Sequence, residues 1–367
     1  MVPVSKEFGE TAVIESSPND LSPLDPWGLA LAPTADMEAS SGELARVIRV
    51  DRGECDVITS AGRVRVLSDS QRAQDEVAPV TGDWVWIDDE DGLGSVITEV
   101  FDRRTSVSRR DPAERDLEQV LAANADAIAV VHGLDRPLPP GRLERLLVVA
   151  YKSGADPLVI LTKSDDRVDD ETEGIVRSVA RDVPVLVTSV EDGTGLDELR
   201  SHIGTGRTLA LVGASGVGKS SLVNALVGSE LLEIGEVRSS DAKGRHTTTA
   251  RELVLLPDDV GLLLDTPGIR AIGLWEAENA LDLVFGDLED LAAECRFGDC
   301  AHAAEPGCAI AAGVADGGVD SRRVERYRDL VAELAAQRER EEERDRRDQK
   351  DGGRSRNRGR GKKPRRR

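Results

Sequence analysis

The sequence predicts a multidomain chain of three unlike parts. These are a small N-terminal β-barrel, an α/β domain built on a P-loop, and a mainly helical C-terminal segment folded around a metal. Three observations carry this expectation. Five short alternating runs crowd into residues 43–108, a glycine-rich loop at 213–220 lies between an apolar run and a helix start, and three of the four cysteines fall between 295 and 308.

Residues 1–42 are rich in Pro, Ser, Asp and Glu and show no apolar period, so they read as a disordered leader. Over 43–108 the strand candidates are Ala45–Val50, Cys55–Thr59, Arg63–Leu67, Trp84–Ile87 and Gly94–Val100, with turn residues such as Ser60-Ala61-Gly62 and Asp91-Gly92 between them. Closely spaced short strands of this kind suggest an OB-fold barrel first and an SH3-like barrel second. OB-folds often present a face and loops to RNA, but a barrel that only packs on its neighbour fits the same pattern. Trp84 and Trp86 share one strand face and read as core rather than stacking platforms. Cys55 stands alone on a strand and is expected to be buried and inert.

Residues 109–273 carry the nucleotide chemistry. Gly213-Ala214-Ser215-Gly216-Val217-Gly218-Lys219-Ser220 reads G-x-x-x-x-G-K-S, with Leu209–Val212 before it as a strand and Ser221–Val227 after it as a helix start. Such a loop turns backbone N–H groups onto the phosphates; Lys219 adds a cation, and the Ser220 hydroxyl can ligate Mg²⁺. Asp265-Thr266-Pro267-Gly268 follows the apolar run Leu262–Leu264, which suits a carboxylate near Mg²⁺ and a Gly268 N–H at the γ-phosphate. Thr162-Lys163-Ser164-Asp165 follows Leu158–Leu161, and a carboxylate there can accept two hydrogen bonds from the guanine N1 and N2 edge. Thr188-Ser189-Val190 ends the run Val183–Val187, where a backbone N–H can meet the guanine O6. Each pattern alone is weak. Their joint occurrence at strand ends is specific.

Along the chain the base-reading aspartate and second base loop come first, then the P-loop, then the switches. An ordinary GTPase begins with its P-loop, so this order predicts a circularly permuted P-loop α/β GTPase domain, with GTP/GDP and Mg²⁺ as its ligands. The sheet is set by packing, so the permuted strands can still assemble.

Residues 274–337 hold Cys295-x₄-Cys300-x-His302-x₅-Cys308, three thiolates and an imidazole that make a complete tetrahedral Zn²⁺ set with no open position. Helical periods flank it at Asn279–Ala293 and Val319–Ala336, the second with Val324, Tyr327, Leu330, Val331 and Leu334 on one face. Residues 338–367 form a charged helix extension and a basic tail. Gly352–Arg367 has nine Lys or Arg and no acid, so within a formal charge of −21 the remainder carries −30. That division fits a protein which repels polyanions in general and touches RNA at chosen places, though a disordered solubility segment has the same composition. No apolar run approaches 18 residues and no signal sequence begins the chain, which excludes a membrane-spanning helix and points to the cytoplasm.

Barrel, permuted GTPase and Cys₃His module, in that order, resemble the ribosome small-subunit-dependent GTPase A family (RsgA, also called YjeQ) over about residues 43–335. The most specific marks are the P-loop through Ser221, Gly244-Arg245-His246-Thr247-Thr248-Thr249, Asp265–Gly268 and the cysteine spacing. The resemblance implies a monomer that binds the small ribosomal subunit and its 16S rRNA late in assembly, hydrolyses GTP there under stimulation, and leaves.

Thr162 departs from the usual Asn, which removes a side-chain amide that would brace the base loop, and Val190 replaces the usual Ala. Thr248 is the first choice among the three switch threonines as a second Mg²⁺ ligand. Where many GTPases carry a water-orienting Gln, Ile269 follows Gly268, so His246 becomes a candidate to orient water. A mobile surface residue or an RNA contact is an equal reading of His246. Two other classes stay open: an RNA-binding factor for which GTP is a structural ligand, and a P-loop ATPase or kinase. The base loop generates the first test. Asp165→Asn should weaken GTP binding severely and shift preference toward xanthine nucleotides; GTP binding at wild-type strength would remove Asp165 from base recognition.

Overall fold

A computed structural model describes residues 21–32, 42–68, 77–90, 94–110, 118–138, 140–228, 252–265, 278–303 and 305–358. The five expected strands form: β1 (Glu43–Val50), β2 (Glu54–Thr59), β3 (Gly62–Leu67), β4 (Trp84–Glu90) and β5 (Gly94–Val100). Their order β1-β2-β3-β5-β4 closes because β4 pairs back to β1, Leu44 opposite Trp86. This is the closed five-stranded barrel of the first expectation. Val47, Cys55, Val57, Val66, Val85 and Ile87 fill it. Trp84 and Trp86 are buried in a second cluster with Leu24, Leu44 and Phe101, as core residues.

Leu24 corrects one expectation. Ser22–Trp27 and Leu29–Leu31 are 3-10 turns, and Leu24 and Ala32 pack into the Trp84 cluster. Part of the leader is therefore folded. Pro23 and Pro26 preset the backbone, and the few apolar residues there bury without any period that a pattern search would detect. Residues 1–20 and 33–41 lie outside the described residues.

A hairpin of β6 (Ser106–Arg110) and β7 (Glu118–Ala123) follows the barrel and spans the expected domain boundary after residue 108. The α/β domain then runs β8 (Ala127–Gly133), α1 (Pro140–Lys152), β9 (Asp156–Thr162), α2 (Glu171–Ala180), β10 (Val185–Val187), α3 (Leu196–Ile203), β11 (Thr208–Gly213), α4 (Lys219–Val227), β12 (Glu252–Leu255) and β13 (Leu262–Asp265). Its strand order is β10-β9-β8-β11-β13-β12. All pairings are parallel except the antiparallel β12–β13 edge. Strand side chains alternate between two cores, Ile128 and Val130 toward α1 and α2, Ala129 and Val131 toward α3 and α4.

Barrel and α/β sheet are continuous, since Arg49 of β1 pairs with Glu252 of β12. Buried Arg46 bolts the joint. Its guanidinium donates to the carbonyls of Trp27, Gly82 and Asn124 and to Thr208 Oγ1 at 3.0 Å, and lies 5.3 Å from the Trp84 ring centroid. Burial pushes its pKa down to about 10, which leaves it charged at neutral pH.

The C-terminal part consists of α5 (Glu278–Ala292), α6 (Ala309–Ala315) and α7 (Ser321–Arg358). Val324, Tyr327, Leu330 and Leu334 of α7 are buried, but Val331 is exposed, one step round the helix from Leu330. Helix α7 also continues through the first seven residues of the tail expected to be disordered, 352–358. A helix already nucleated extends cheaply. Residues 359–367 lie outside the described residues.

The module docks on α1 through a shared apolar cluster and through charge. Glu144 is fully buried and accepts from Arg323 Nη1 at 3.0 Å and from Arg326 Nη2 at 3.1 Å and Nε. Arg323 also grips Asp287 at 3.0 Å and lies 4.9 Å from the Phe285 ring centroid. Removing one partner of such a buried cluster strands the others. Glu144→Ala should therefore cost about 3 kcal/mol of stability, read as a lower denaturant midpoint; an unchanged midpoint would show that apolar packing alone docks the module.

Candidate functional site

Parallel pairing sets strand ends level. Gly213 of β11 stands opposite Val131 of β8, Gly133 of β8 opposite Thr162 of β9, and Val187 of β10 opposite Leu161. The P-loop, Thr162–Asp165 and Thr188–Val190 therefore leave the same edge of the sheet, where open α/β sheets hold ligands. Asp265 closes β13, whose Leu264 pairs with Ala210, and so lies on that edge too.

Two glycines are required by geometry. A Cβ at Gly213 would sit 2.4 Å from the Val131 carbonyl, and Gly218, at φ +94°, would bring one within 3.2 Å of Thr162 Oγ1. Gly218 caps α4, so Lys219, Ser220 and Ser221 form its first turn. The free N–H groups of such a turn, and the dipole behind it, suit an anion. Lys219 Nζ donates to the loop carbonyls of Gly213 at 2.9 Å and Ala214 at 2.6 Å.

Thr162 repairs the departure noted from sequence. It is buried, and its hydroxyl is shared between the carbonyl of Val217 in the P-loop and the His132 carbonyl at 3.3 Å. One hydroxyl thus ties base loop to phosphate loop. Lys163, at φ +58°, sends Nζ to Gly216 O at 3.0 Å and to Asp135 Oδ2 at 2.7 Å. Asp165 Oδ1 accepts from Ser189 Oγ at 2.5 Å, which joins the two base loops directly. Ser189 is buried, its Oγ accepts from the N–H groups of Glu191 and Asp192, and its own N–H is taken by Thr194 O. Ser164 N–H meets Thr188 O at 3.2 Å.

Asp135 and Arg136 were missed from sequence. They follow β8, an apolar run ending at the same edge as the others, and that strand-end position was the available signal. The Arg136 hydrogen bonds, more than Lys163, hold the Asp135 carboxyl well below the usual carboxylate range against partial burial. His132 is buried behind them, with its pKa lowered by burial and Nε2 at 3.1 Å from Arg136 O.

His246, Thr247, Thr248, Thr249, Gly268 and Ile269 lie outside the described residues.

At the other site, the ligand atoms of Cys295, Cys300, His302 and Cys308 all lie within 4.8 Å of one another. Cys295 Sγ is 3.9 Å from Cys308 Sγ and 3.6 Å from His302 Nδ1, and Cys308 Sγ is 3.7 Å from the same nitrogen. A tetrahedron of sulfurs about 2.3 Å from its centre has edges of about 3.8 Å, so the set fits one metal ion. The Ala309 N–H points at Cys295 Sγ at 3.3 Å and the Ala311 N–H at Cys308 Sγ at 3.4 Å, from the first turn of α6. Burial opposes ionisation of Cys295, but the N–H groups of Ala309 and Ile310, together with the neighbouring thiols, outweigh it and lower its pKa.

Comparison with known proteins now decides the assignment. Residues 100–275 match the sequence model of the family described as RsgA GTPase. The chain is 44% identical over 314 residues to the small ribosomal subunit biogenesis GTPase RsgA of Streptomyces coelicolor, covering 84% of each. The protein of the same name from Methanosarcina acetivorans is 42% identical, covering 72% of each chain. The chain belongs to the RsgA GTPase family. It is therefore a GTP hydrolase, with the GTP/GDP and Mg²⁺ that such an enzyme implies. The crystal structure of YjeQ from Thermotoga maritima superposes with a TM-score of 0.58 at 23% identity, over 80% of this chain and 98% of that one. YloQ, titled a circularly permuted GTPase, gives 0.57 at 22% identity over 82% and 97%. The permuted fold is thus shared.

The metal set gives a direct test. Cys300→Ser should lower bound metal below one ion per chain and loosen residues from about 275 onward, because so small a knuckle depends on its metal for folding. Elemental analysis together with proteolysis would reveal both effects. Full metal content in the variant would remove Cys300 from the set.

Proposed function

We propose that this GTPase binds the small (30S) ribosomal subunit during late assembly, hydrolyses GTP there and is released by turnover. The observation that carries this reading is the joining of base loops and P-loop at one sheet edge, with an RNA-suited barrel and a metal module attached on either side by short connections. The Streptomyces relatives named as small ribosomal subunit biogenesis GTPases support the choice of subunit. In this reading the protein is a cytoplasmic monomer, 16S rRNA is its contact on the subunit, and the metal is Zn²⁺, which a Cys₃His set favours. Among the described residues no helix is long and apolar enough to cross a membrane, and no membrane role is proposed.

Asp165 reads the guanine N1 and N2 donors, and Ser189 orients its carboxylate. Because the Ser189 N–H is already used, the N–H offered to O6 is that of Val190. Residues Gly213–Ser221 would cradle the phosphates, Lys219 would exchange its two carbonyl partners for phosphate oxygens, and Ser220 with Thr248 would hold Mg²⁺, backed by Asp265. The Gly268 N–H meets the γ-phosphate. When bound, Mg²⁺ neutralises charge that develops on the transferred phosphoryl group.

Positioning the water is the task left over. Ile269 cannot do it, so the free enzyme idles until the subunit orders the segment around His246 and Thr248. GTP turnover with and without purified small subunits tests this, and stimulation of at least about tenfold is expected. His246→Ala should reduce the stimulated rate far more than the intrinsic rate while leaving GTP affinity nearly unchanged, the pattern of a group that acts in the transition state. No stimulation by the subunit would overturn the proposed function. Full stimulated turnover in His246→Ala would remove only that residue.

A further inference from the structure

One carbonyl of the P-loop is held by two cations. Gly216 O accepts from Lys163 Nζ at 3.0 Å and from Arg136 Nη2 at 3.1 Å. Both cations are gathered by a single carboxylate. Asp135 Oδ1 accepts from Arg136 Nε at 2.9 Å, while Oδ2 accepts from Arg136 Nη2 at 2.8 Å and Lys163 Nζ at 2.7 Å.

The surroundings are shaped for this cluster. A Cβ on Gly133 would fall 2.4 Å from Asp135 Oδ1, so the carboxylate needs a glycine beneath it. A Cβ on Gly216, which has φ +77°, would stand 3.8 Å from both terminal nitrogens of Arg136. The Leu134 N–H bonds to Thr162 O at 2.8 Å, which fixes the segment carrying Asp135 against the base loop.

Two positive groups facing one carboxylate leave a net positive charge at the loop rim. They also polarise the peptide between Gly216 and Val217, whose N–H belongs to the loop that wraps phosphate. Charge-assisted bonds to a carbonyl strengthen the donor at the other end of the same peptide. They also resist rotation of that peptide, a movement that would turn its N–H away from a bound anion.

We propose that Asp135 and Arg136 are positioning residues for the nucleotide phosphates: they lock the Gly216–Val217 peptide and so slow the release of GDP. The inference rests on the P-loop assignment above and adds to it two residues outside every nucleotide motif in the chain. Arg136 acts through the loop backbone, with Asp135 fixing its guanidinium in the plane that reaches Gly216 O.

The test uses full-length protein and a fluorescent GDP. Arg136→Met keeps the unbranched stem and removes the guanidinium with its charge. GDP dissociation should accelerate about tenfold, the equivalent of one lost charge-assisted hydrogen bond. Arg136→Lys, which can reach Gly216 O but cannot pair side-on with Asp135, should recover part of the loss. Affinity for guanosine, measured by competition, should stay at the wild-type value because guanosine has no phosphate for the loop to hold. An unchanged GDP dissociation rate in Arg136→Met would overturn the proposal. Equal losses for GDP and guanosine would also overturn it, by showing that Arg136 supports the site as a whole. Wild-type protein that bound no GDP would instead sink the P-loop assignment, and this inference with it.

Discussion

Parallel hydrogen bonding of Thr208–Gly213 to strands on both sides is the constraint on which the nucleotide site depends. The central strand comes late in the domain, after β8, β9 and β10 and their crossover helices, yet it inserts between β8 and β13. Each register step there sets the height of a loop. With Gly213 level with Val131, and Thr162 level with Gly133, the Thr162 hydroxyl comes within reach of Val217 O. A slip of one residue in either pairing would reverse the side chains between the two cores and carry the loops apart. Permutation therefore costs the site nothing. Chain order has changed, but pairing has not.

The flanking modules are fastened by a different kind of interaction. Each joint has a buried charged group at its centre, Arg46 in one and Glu144 in the other, and the guanidiniums collect partners from segments distant in sequence. Arg46 links leader, barrel, the end of the hairpin and the start of β11. Arg323 and Arg326 bring α7 onto Glu144 of α1. Such joints are directional, because a guanidinium satisfies its donors in one plane, whereas apolar faces can slide. Helix α1 begins just after Asp135 and Arg136, so the surface gripped by the C-terminal module belongs to the same strand–loop–helix unit that touches Gly216. A load on the module has a short path to that loop, covalent from Glu144 to Arg136 and then one hydrogen bond to Gly216 O.

How much of this was legible in sequence depended on whether the signal was periodic. The five barrel strands were readable because short alternating runs separated by turn residues mark a small barrel, even though β1 and β4 are buried on both faces. Strands bounded by known nucleotide motifs were readable because chemistry marked their ends. Strand β8 has the same apolar character but ends in no familiar motif, and so Asp135 and Arg136 went unnoticed. Leu24 was unreadable for another reason: an isolated apolar residue between prolines has no period, and only its burial against Trp84 reveals its role. Thr162 was readable as a departure, but the partner of its hydroxyl was not. A residue type can show that an amide is absent; only geometry shows that the hydroxyl reaches Val217 O. The metal ligands were the most legible part, since four donors within 14 residues have few other ways to be satisfied.

Charge presents the remaining question, because an acidic GTPase must accept a polyanionic nucleotide. The formal charge of −21 would repel both GTP and RNA if it acted as a whole. It does not, since at physiological salt charges interact over about 8 Å. In the proposed site the cations gathered at that edge are Lys219, Lys163 and Arg136, with Asp135 offsetting one of them and the α4 N-terminus adding its dipole. Lys219 and Lys163 donate to backbone carbonyls rather than lying free in water. Partners of that kind hold a cation in place without cancelling its charge, and they can be exchanged for phosphate oxygens. On the proposed reading, the acidic surface beyond the screening distance would disfavour polyanions that present charge everywhere and leave the few places where cations have been gathered.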